Sequence, residues 1–347
     1  MMQTKRIALA AFAAAILAWA GVATPVSAKV YKWGTFTPPQ SEVPRMVMKM
    51  FNDEVKKKTH GAVEFQLFTG GSLVGPRDTL SGIRDGIVDG GFIVPAFVVS
   101  SLPNQNMISD SASFVSDAVT AAGAAAQTMM LDCPECQGDF HKMGSITLGG
   151  MGLNAYILQC RKPVNAIEDL KGLKIRVAIS ASGRWVQHLG AVPVGGMPPT
   201  DIVTMPQGNA HGNSELVFSL RMWDGLTREQ KNIMLRAAPG AISHGTIQST
   251  QIEPKTKIDP VIKKKGIKEW PGDAKLHAAW DDFVKGEKQA CIDLAVKRGI
   301  DRAVATRIVE RHIADTKKWL KIANDVGTDE DKFADALWNE IYSKVKL

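Results

Sequence analysis

The chain lacks the short motifs that mark common enzyme active sites. It contains neither the Gly-x-Ser-x-Gly turn of hydrolases nor the His-Glu-x-x-His pair of zinc proteases. The glycine-rich run at 69–75 has neither the Gly-Lys-Ser/Thr ending of a P-loop nor the Gly-x-Gly-x-x-Gly spacing of a dinucleotide-binding turn, so we interpret it as a plain turn. We therefore expect no enzymatic activity and no cofactor.

Long hydrophobic runs are also scarce, and the longest lies at the N-terminus. Residues 7–22 carry no charge, follow Lys5 and Arg6, and precede small residues at 25–28 of the kind that signal peptidase recognises. The run is shorter than the roughly 20 residues that a membrane-spanning helix needs. We therefore predict a signal peptide over residues 1–28, cleaved after Ala28, and no membrane insertion of the mature chain.

Neither sign of charge dominates strongly enough to mark a nucleic-acid-binding protein. The formal net charge of +7 falls to about +5 once Lys5 and Arg6 leave, and a modest basic excess attracts anions. The lysines are scattered and do not alternate with aromatic residues, so we predict no nucleic-acid partner.

Removal of 28 residues from the 347-residue chain leaves 319, a length that suits two domains.

Cysteine is rare, with four residues, and an exported protein carries them where disulfides form. Cys133 and Cys136 form a C-x-x-C pair that could be a redox site at a helix start, a zinc site or a structural disulfide. No second C-x-x-C and no histidine pair stands at ligand spacing, so we predict no metal. We favour a disulfide, within the pair or from Cys136 to Cys160, and predict that Cys291 is a buried thiol.

Strands and helices alternate along the first part of the mature chain. The pattern predicts strands at 30–36, 63–68 and 90–94 with helices between them. This alternation is typical of a mostly parallel α/β sheet, which binds ligands outside the carboxyl ends of its strands. The apolar run at 145–161 is predicted to be a strand that crosses between two domains, with glycines that permit bends.

The C-terminal half is predicted to be largely helical. Thr227 and Gln230 form a capping box for a long helix that runs past Gln251, is kinked at Pro239 and lies across both lobes. Three further helices with core-facing apolar stripes are predicted near 275–298, 301–324 and 328–345.

One arginine stands out in the run 169–177. The run predicts a helix end, a tight glycine turn and a buried strand that carries Arg176. A desolvated guanidinium without an anionic partner is costly, and arginine binds a carboxylate through two parallel hydrogen bonds. The strand therefore indicates a chain that holds a small acid rather than one that transforms it.

These features follow one another in the order found in a known family. Over nearly the whole mature length, the chain resembles the DctP-type periplasmic solute-binding subunits of TRAP transporters. The resemblance rests on the signal peptide and on the spacing of the segments 70–75, 85–86, 172–177, 189–194, 197–198 and 223–226.

The resemblance implies an α/β, two-lobed periplasmic-binding-protein fold (type II-like) with a long helix spanning both domains. It implies an N-terminal lobe of residues 29–153 plus 213–265, and a C-terminal lobe of residues 154–212 plus 266–347 with the C-terminal helices. The expected location is the periplasm, where the lobes close around a small organic acid, such as a dicarboxylate, and the loaded protein docks on the membrane permease. Arg176 is the expected carboxylate-binding residue.

Other expected pocket positions differ from those of the sialic-acid binders in this family. Where those proteins place polar groups, this chain places Trp33 or Phe36, Val94 and Tyr156. The difference favours a compact acid with an apolar portion, held by Arg176 between aromatic rings. A core position is the alternative for Trp33 and Phe36, whereas a buried Tyr156 phenol needs a hydrogen-bond partner.

The family pattern is interrupted near Met205 and Gly208. Residues 201–206 lead almost directly into 208–212, where the family has a helix, a Gly-Asp-Gly turn and a second helix. Either an internal deletion has removed this wall of the second lobe, or the wall is supplied differently.

Two other functions stay open: a ligand-sensing periplasmic domain of the same fold, and an exported thiol oxidoreductase that uses the C-x-x-C pair.

Overall fold

The computed structural model describes residues 29–155, 164, 166–177, 179–194, 214–266 and 272–346. Its strands are β1 (Lys29–Gly34), β2 (Val63–Phe68), β3 (Gly90–Ile93), β4 (Ser145–Thr147), β5 (Lys174–Arg176), β6 (Val192–Val194) and β7 (Ser214–Ser219). Its helices are α1 (Lys49–Lys58), α2 (Thr79–Arg84), α3 (Pro103–Asp110), α4 (Ala118–Gln127), α5 (Pro134–Lys142), α6 (Ser180–His188), α7 (Leu220–Asp224), α8 (Arg228–Ile247), α9 (Asp259–Lys265), α10 (Ala274–Lys297), α11 (Arg302–Val326) and α12 (Glu330–Glu340). The predicted signal peptide lies outside these ranges, within which no helix is long and apolar enough to cross a membrane.

The larger sheet has the strand order β2-β1-β3-β7-β4. β1 pairs in parallel with β2 and β3, and only β7 runs in the opposite direction, antiparallel to β3 and β4. Gly90 permits the tight spacing at β3, because a Cβ there would lie 2.7 Å from the carbonyl oxygen of Val217. The predicted α/β sheet is confirmed, and the carboxyl ends of β1 and β3 lie side by side.

An aromatic cluster fills the core on one face of this sheet. The side chain of Trp33 is fully buried, and its ring centroid lies 5.5, 5.1 and 5.3 Å from those of Phe51, Phe65 and Phe218. Alternation along β1 also turns Tyr31 inward. We call the sheet and the helices packed on it the first lobe.

The last two helices pack on the first lobe. Trp319 of α11 and Phe333 and Leu337 of α12 belong to the same hydrophobic core as Trp33. The predicted second lobe includes residues 266–347, because an apolar helical stripe shows that a helix is covered but not which surface covers it. The boundaries of the two lobes stay a prediction.

A smaller sheet has a separate core. β5 and β6 pair in parallel, and Arg176 stands opposite Val194. Ile175 packs with Trp185 of α6 and with Leu276 and Phe283 from the first half of α10. We call β5, β6, α6 and the start of α10 the second lobe.

The long helix predicted from Thr227 is confirmed at its start and in its length. The Thr227 amide donates to Gln230 Oε1 at 3.0 Å, and the Gln230 amide donates to Thr227 Oγ1 at 3.2 Å, which completes the capping box. Pro239 lies inside α8, and helical turns continue through π-helical segments and α9 to Lys265. Gly266 ends the helix with a φ of 61°.

The strand predicted at 145–161 is much shorter in the structure. β4 ends at Thr147, and Gly149 turns the chain with a φ of 92° that side chains disfavour. The Gly152 amide then donates to the side chain of Thr246, with a distance of 3.0 Å to Oγ1. Residues 156–163 lie outside the described chain.

The C-x-x-C pair forms a disulfide between Cys133 and Cys136. Both residues are buried at the start of α5, in the core on the other face of the large sheet. The favoured interpretation is therefore confirmed in its within-pair form. Cys291 is a buried free thiol, as predicted, whereas Cys160 falls among the residues that are not described.

A buried polar network joins α4 to α11. His312 is fully buried, its Nδ1 lies 2.9 Å from Thr128 Oγ1, and desolvation lowers its pKa to about 4. The Thr128 hydroxyl also lies 2.8 Å from Asp315 Oδ2, and burial raises the pKa of Asp315 to about 6. Below neutral pH, the folded chain therefore takes a proton on Asp315, whereas the unfolded chain takes one on His312.

This network predicts a change in the pH dependence of stability when His312 is replaced. Because its folded pKa of about 4 lies below the unfolded value, His312 costs stability as pH falls below about 6.5, by about 1.4 kcal/mol per unit. The His312→Asn variant lacks this loss. The difference in free energy of unfolding between wild type and the variant is therefore expected to shrink by about 2–3 kcal/mol when the pH falls from 7 to 4.5. Urea unfolding of both proteins at both pH values measures this difference. A difference that does not change with pH would contradict the lowered pKa of His312 in the folded chain.

Candidate functional site

An apolar patch lies at the carboxyl ends of β1 and β3. Phe36 follows β1 and stacks on Phe92 of β3, with ring centroids 5.3 Å apart, and Phe97 lies 6.2 Å from Phe36. Val94 directly follows β3 and packs on the same core. Phe36, Val94 and Phe97 are only partly buried. We call Phe36, Phe92, Val94 and Phe97 the edge patch, and its position is where α/β sheets bind ligands.

The glycine-rich loop is tied to the end of β1 beside the edge patch. The Gly70 amide donates to the Thr37 carbonyl at 2.8 Å, and the Gly71 amide donates to the Thr35 carbonyl at 3.1 Å. Both glycines have a positive φ, of 66° and 76°, which glycine adopts readily. Because these two amides are engaged within the protein, the loop serves here as a turn that braces the β1 end.

Trp33 lies in the core below the edge patch and has no exposed surface. Trp33 therefore takes the core position that is the alternative to ligand contact. Phe36, by contrast, is only partly buried at the sheet edge. Tyr156 lies outside the described residues.

Arg176 lies at the carboxyl end of β5 and is exposed. The prediction of a buried strand is wrong for Arg176, because β5 alternates: Ile175 faces the second core while Lys174 and Arg176 face away from it. The difference arises because β5 pairs only with β6 among the described strands. No carboxylate of the described chain forms an ion pair with the Arg176 guanidinium.

Of the predicted site residues, Phe36 and Val94 pack against the same core at the edge of the large sheet. Phe36 and Val94 share the edge patch, whereas Arg176 lies in the second lobe, and its approach to them stays a prediction. The predicted gap near Met205 falls within 195–213, which is not described. Phe92 and Phe97 are not among the predicted site residues, although Phe92 lies in the correctly predicted strand β3 and Phe97 shortly after it.

No group of three or more histidine, cysteine, aspartate or glutamate side chains in the described ranges could hold a metal ion. Exposed Arg176 and the edge patch offer instead one cation and a partly exposed apolar surface. Chemically, such groups can bind a carboxylate and an apolar ring.

A family model matches more than half of the chain. The model is described as bacterial extracellular solute-binding protein, family 7 (DctP), and it matches residues 33–210. The matched region contains both the edge patch and Arg176.

Solved structures of solute-binding proteins share the fold. A TRAP solute-binding protein from Rhodoferax ferrireducens T118, in complex with copurified benzoate, is 17% identical with a TM-score of 0.70, over 85% of this chain and 99% of that one. One from Bordetella bronchiseptica, with bound (R)- and (S)-mandelate, is 20% identical with a TM-score of 0.66, over 84% and 99%. A Bordetella pertussis extracytoplasmic solute receptor binding pyroglutamic acid is 18% identical with a TM-score of 0.64, over 82% and 99%.

Proposed function

The chain belongs to bacterial extracellular solute-binding protein family 7, the DctP family, and from that premise we propose that it binds a small organic acid in the periplasm and delivers it to the membrane permease of a TRAP transporter. The observation that carries the ligand class is the exposed Arg176 at the end of β5, without an ion-pair partner among the described carboxylates. A cation in this state is available to an anionic ligand. The protein acts as a carrier and not as an enzyme.

The edge patch supports an acid that has an apolar or aromatic portion. Phe36, Val94 and Phe97 are only partly buried, and aromatic side chains favour other rings in stacked or edge-to-face contact. Benzoate and mandelate, bound by two of the structurally similar proteins, have this chemistry. We therefore propose a compact aromatic or branched carboxylic acid as the ligand of this chain.

Binding proceeds as a cycle of lobe closure. The open form admits the anion, Arg176 binds its carboxylate, and the edge patch receives its apolar portion. Closure excludes water, which strengthens the charge-assisted hydrogen bonds to Arg176. The ligand shifts the equilibrium toward the closed form only by the difference between its affinities for the two forms.

A thiol oxidoreductase is the less supported alternative. Thiol–disulfide exchange requires a thiolate to reach a sulfur atom. Cys133 and Cys136 are at most 1% exposed and lie in a hydrophobic core, which argues for a structural bond.

A sensing domain would bind the same ligand, and uptake of labelled acid by cells with and without the gene separates sensing from transport.

A thermal-shift screen of the mature chain tests the proposed function. The compounds are benzoate, mandelate, pyroglutamate, dicarboxylates, keto acids and sulfonates. An acid at 100 times its dissociation constant adds about 2.7 kcal/mol to the stability, which raises the melting temperature clearly. A cooperative melt that no acid shifts would contradict the proposed ligand class.

A further inference from the structure

Two buried carboxylates and two partly buried guanidinium groups lie where α3, α6 and α10 meet. Asp110 ends α3, Arg184 lies on α6, and Glu287 and Arg298 lie on and just after α10. Asp110 and Glu287 are 3% and 1% exposed, and the two arginine side chains are less than one-fifth exposed. We call these four residues the inter-lobe cluster, because α3 packs in the first lobe and α6 in the second.

Arg184 connects the two lobes directly. Its Nε donates to Glu287 Oε1 at 2.7 Å, and its Nη2 donates to Glu287 Oε2 at 2.7 Å in a bidentate pair. The same Nη2 donates to the Asp110 carbonyl at 2.7 Å. From the first-lobe side, Ser113 Oγ donates to Glu287 Oε2 at 2.6 Å. One guanidinium thus holds α6 against both α3 and α10.

Arg298 makes a second connection to α6, at Ser180, one helical turn before Arg184. Its guanidinium forms an ion pair with the Asp110 carboxylate and donates to Ser180 Oγ at 3.2 Å. Ser180 begins α6, four residues after Arg176. The first turns of α6, the helix that follows the Arg176 strand in the chain, are therefore anchored at Ser180 and Arg184.

Helix α10 passes from one core to the other at this point. Leu276 and Phe283 pack in the second core, whereas Cys291 and Ile292 pack in the core of the first lobe. Glu287 lies between these two groups. Beside it, Ile179 and Ala181 pack on Ala112 of the first lobe.

We propose that the inter-lobe cluster is the pivot of lobe closure, and that Asp110, Arg184, Glu287 and Arg298 are positioning residues for Arg176. The cluster holds two cations and two anions, and separating buried ion pairs leaves uncompensated charges, which is strongly unfavourable. A motion that parts α6 from α3 must break these pairs, whereas a rotation about them keeps every pair. Lobe closure and the role toward Arg176 rest on the proposed function, whereas the connection between the lobes can be tested without a ligand.

Distance measurements between spin labels on the two lobes test the pivot without any ligand. Lys57→Cys on α1 and Lys171→Cys before β5 provide exposed labelling sites in a Cys160→Ser background. Cys291 is buried, with its pKa raised to about 12 by desolvation, and Cys133 and Cys136 are bonded to each other, so these three do not react. Pulsed electron paramagnetic resonance then gives the distribution of inter-lobe distances.

Glu287→Gln and Arg298→Ala are expected to broaden the distance distribution and shift its mean, and Arg298→Lys is expected to restore it in part. Asp315→Asn is the matched control, because it changes a buried carboxylate that serves one lobe only. Folded Glu287→Gln and Arg298→Ala proteins with the wild-type distribution would overturn the pivot. An equal broadening in Asp315→Asn would overturn it as well.

Hydrogen exchange of the unmodified wild-type protein gives a second measurement that needs no variant. Amides of α6 near Arg184 are expected to exchange as slowly as those of α3, because the pivot keeps the two helices together during opening. Exchange in α6 that is faster than in β5 and β6 would overturn the proposal. Neither measurement involves an acid, so failure of the pivot is separate from failure of the proposed ligand binding.

Discussion

Arg176→Ala is expected to abolish stabilisation of the protein by its acid ligand while leaving the free protein as stable as wild type. The side chain is exposed and has no ion-pair partner among the described carboxylates, so its removal leaves no buried charge behind. Exposed substitutions of this kind change stability by about 0.5 kcal/mol or less. The ligand, in contrast, loses two charge-assisted hydrogen bonds, at about 1.5–3 kcal/mol each, which weakens binding more than about 100-fold.

Calorimetric titration of the acid identified by the thermal-shift screen measures this loss. Lys174→Ala is the matched control, since it removes an equal exposed charge from the same face of β5, two residues before Arg176. We expect that control to keep its affinity within a few-fold, and Arg176→Lys to retain charge but lose the bidentate geometry. Unchanged affinity in Arg176→Ala would show that the carboxylate binds elsewhere.

The elements that the sequence predicts well are those whose signal is local. The strand β2 is confirmed at 63–68. Its apolar residues alternate, a glycine ends the preceding helix and a threonine–glycine turn follows, so neighbouring residues alone define the strand. The start of α8 follows from Thr227 and Gln230 alone, since a capping box needs only four consecutive residues. The C-x-x-C pairing is equally local.

The features that the sequence does not predict depend on contacts between distant segments. Arg184 and Glu287 are separated by 103 residues, and each looks like an ordinary charge on the surface of an amphipathic helix. Their burial follows from the meeting of three helices. For the same reason the sequence grouped α11 and α12 with the second lobe, whereas Trp319 and Phe333 enter the core around β1.

The exposure of Arg176 shows the same limit within the candidate site. An apolar neighbour on each side of the arginine indicates a strand, and the strand is confirmed as β5. Whether such a strand is covered on both faces depends on its neighbours in the sheet. With β6 as its described partner strand, Arg176 forms no ion pair with a carboxylate of the described residues, which is the state that a carboxylate-binding residue needs before the ligand arrives.

Gly123→Ala is expected to destabilise the first lobe, although alanine favours a helix more than glycine does. Gly123 lies in α4, and a Cβ there would lie 2.0 Å from the ring of Trp319 on α11. The indole cannot easily move away, because it is fully buried and its Nε1 donates to Gln127 Oε1 at 2.9 Å. Overpacking costs about 1–3 kcal/mol or more and exceeds the gain in helix propensity of about 1 kcal/mol.

Gly286→Ala is the control that isolates the packing effect, since it makes the same chemical change inside a helix. Gly286 lies in α10, is exposed, and has no atom within 4 Å of an added Cβ. There only helix propensity acts, so this variant is expected to gain about 0.8–1 kcal/mol. Urea unfolding midpoints of the two variants should therefore move in opposite directions from wild type. A Gly123→Ala midpoint that rises with that of Gly286→Ala would mean that α4 and α11 can separate at small cost, and that Trp319 does not hold them together.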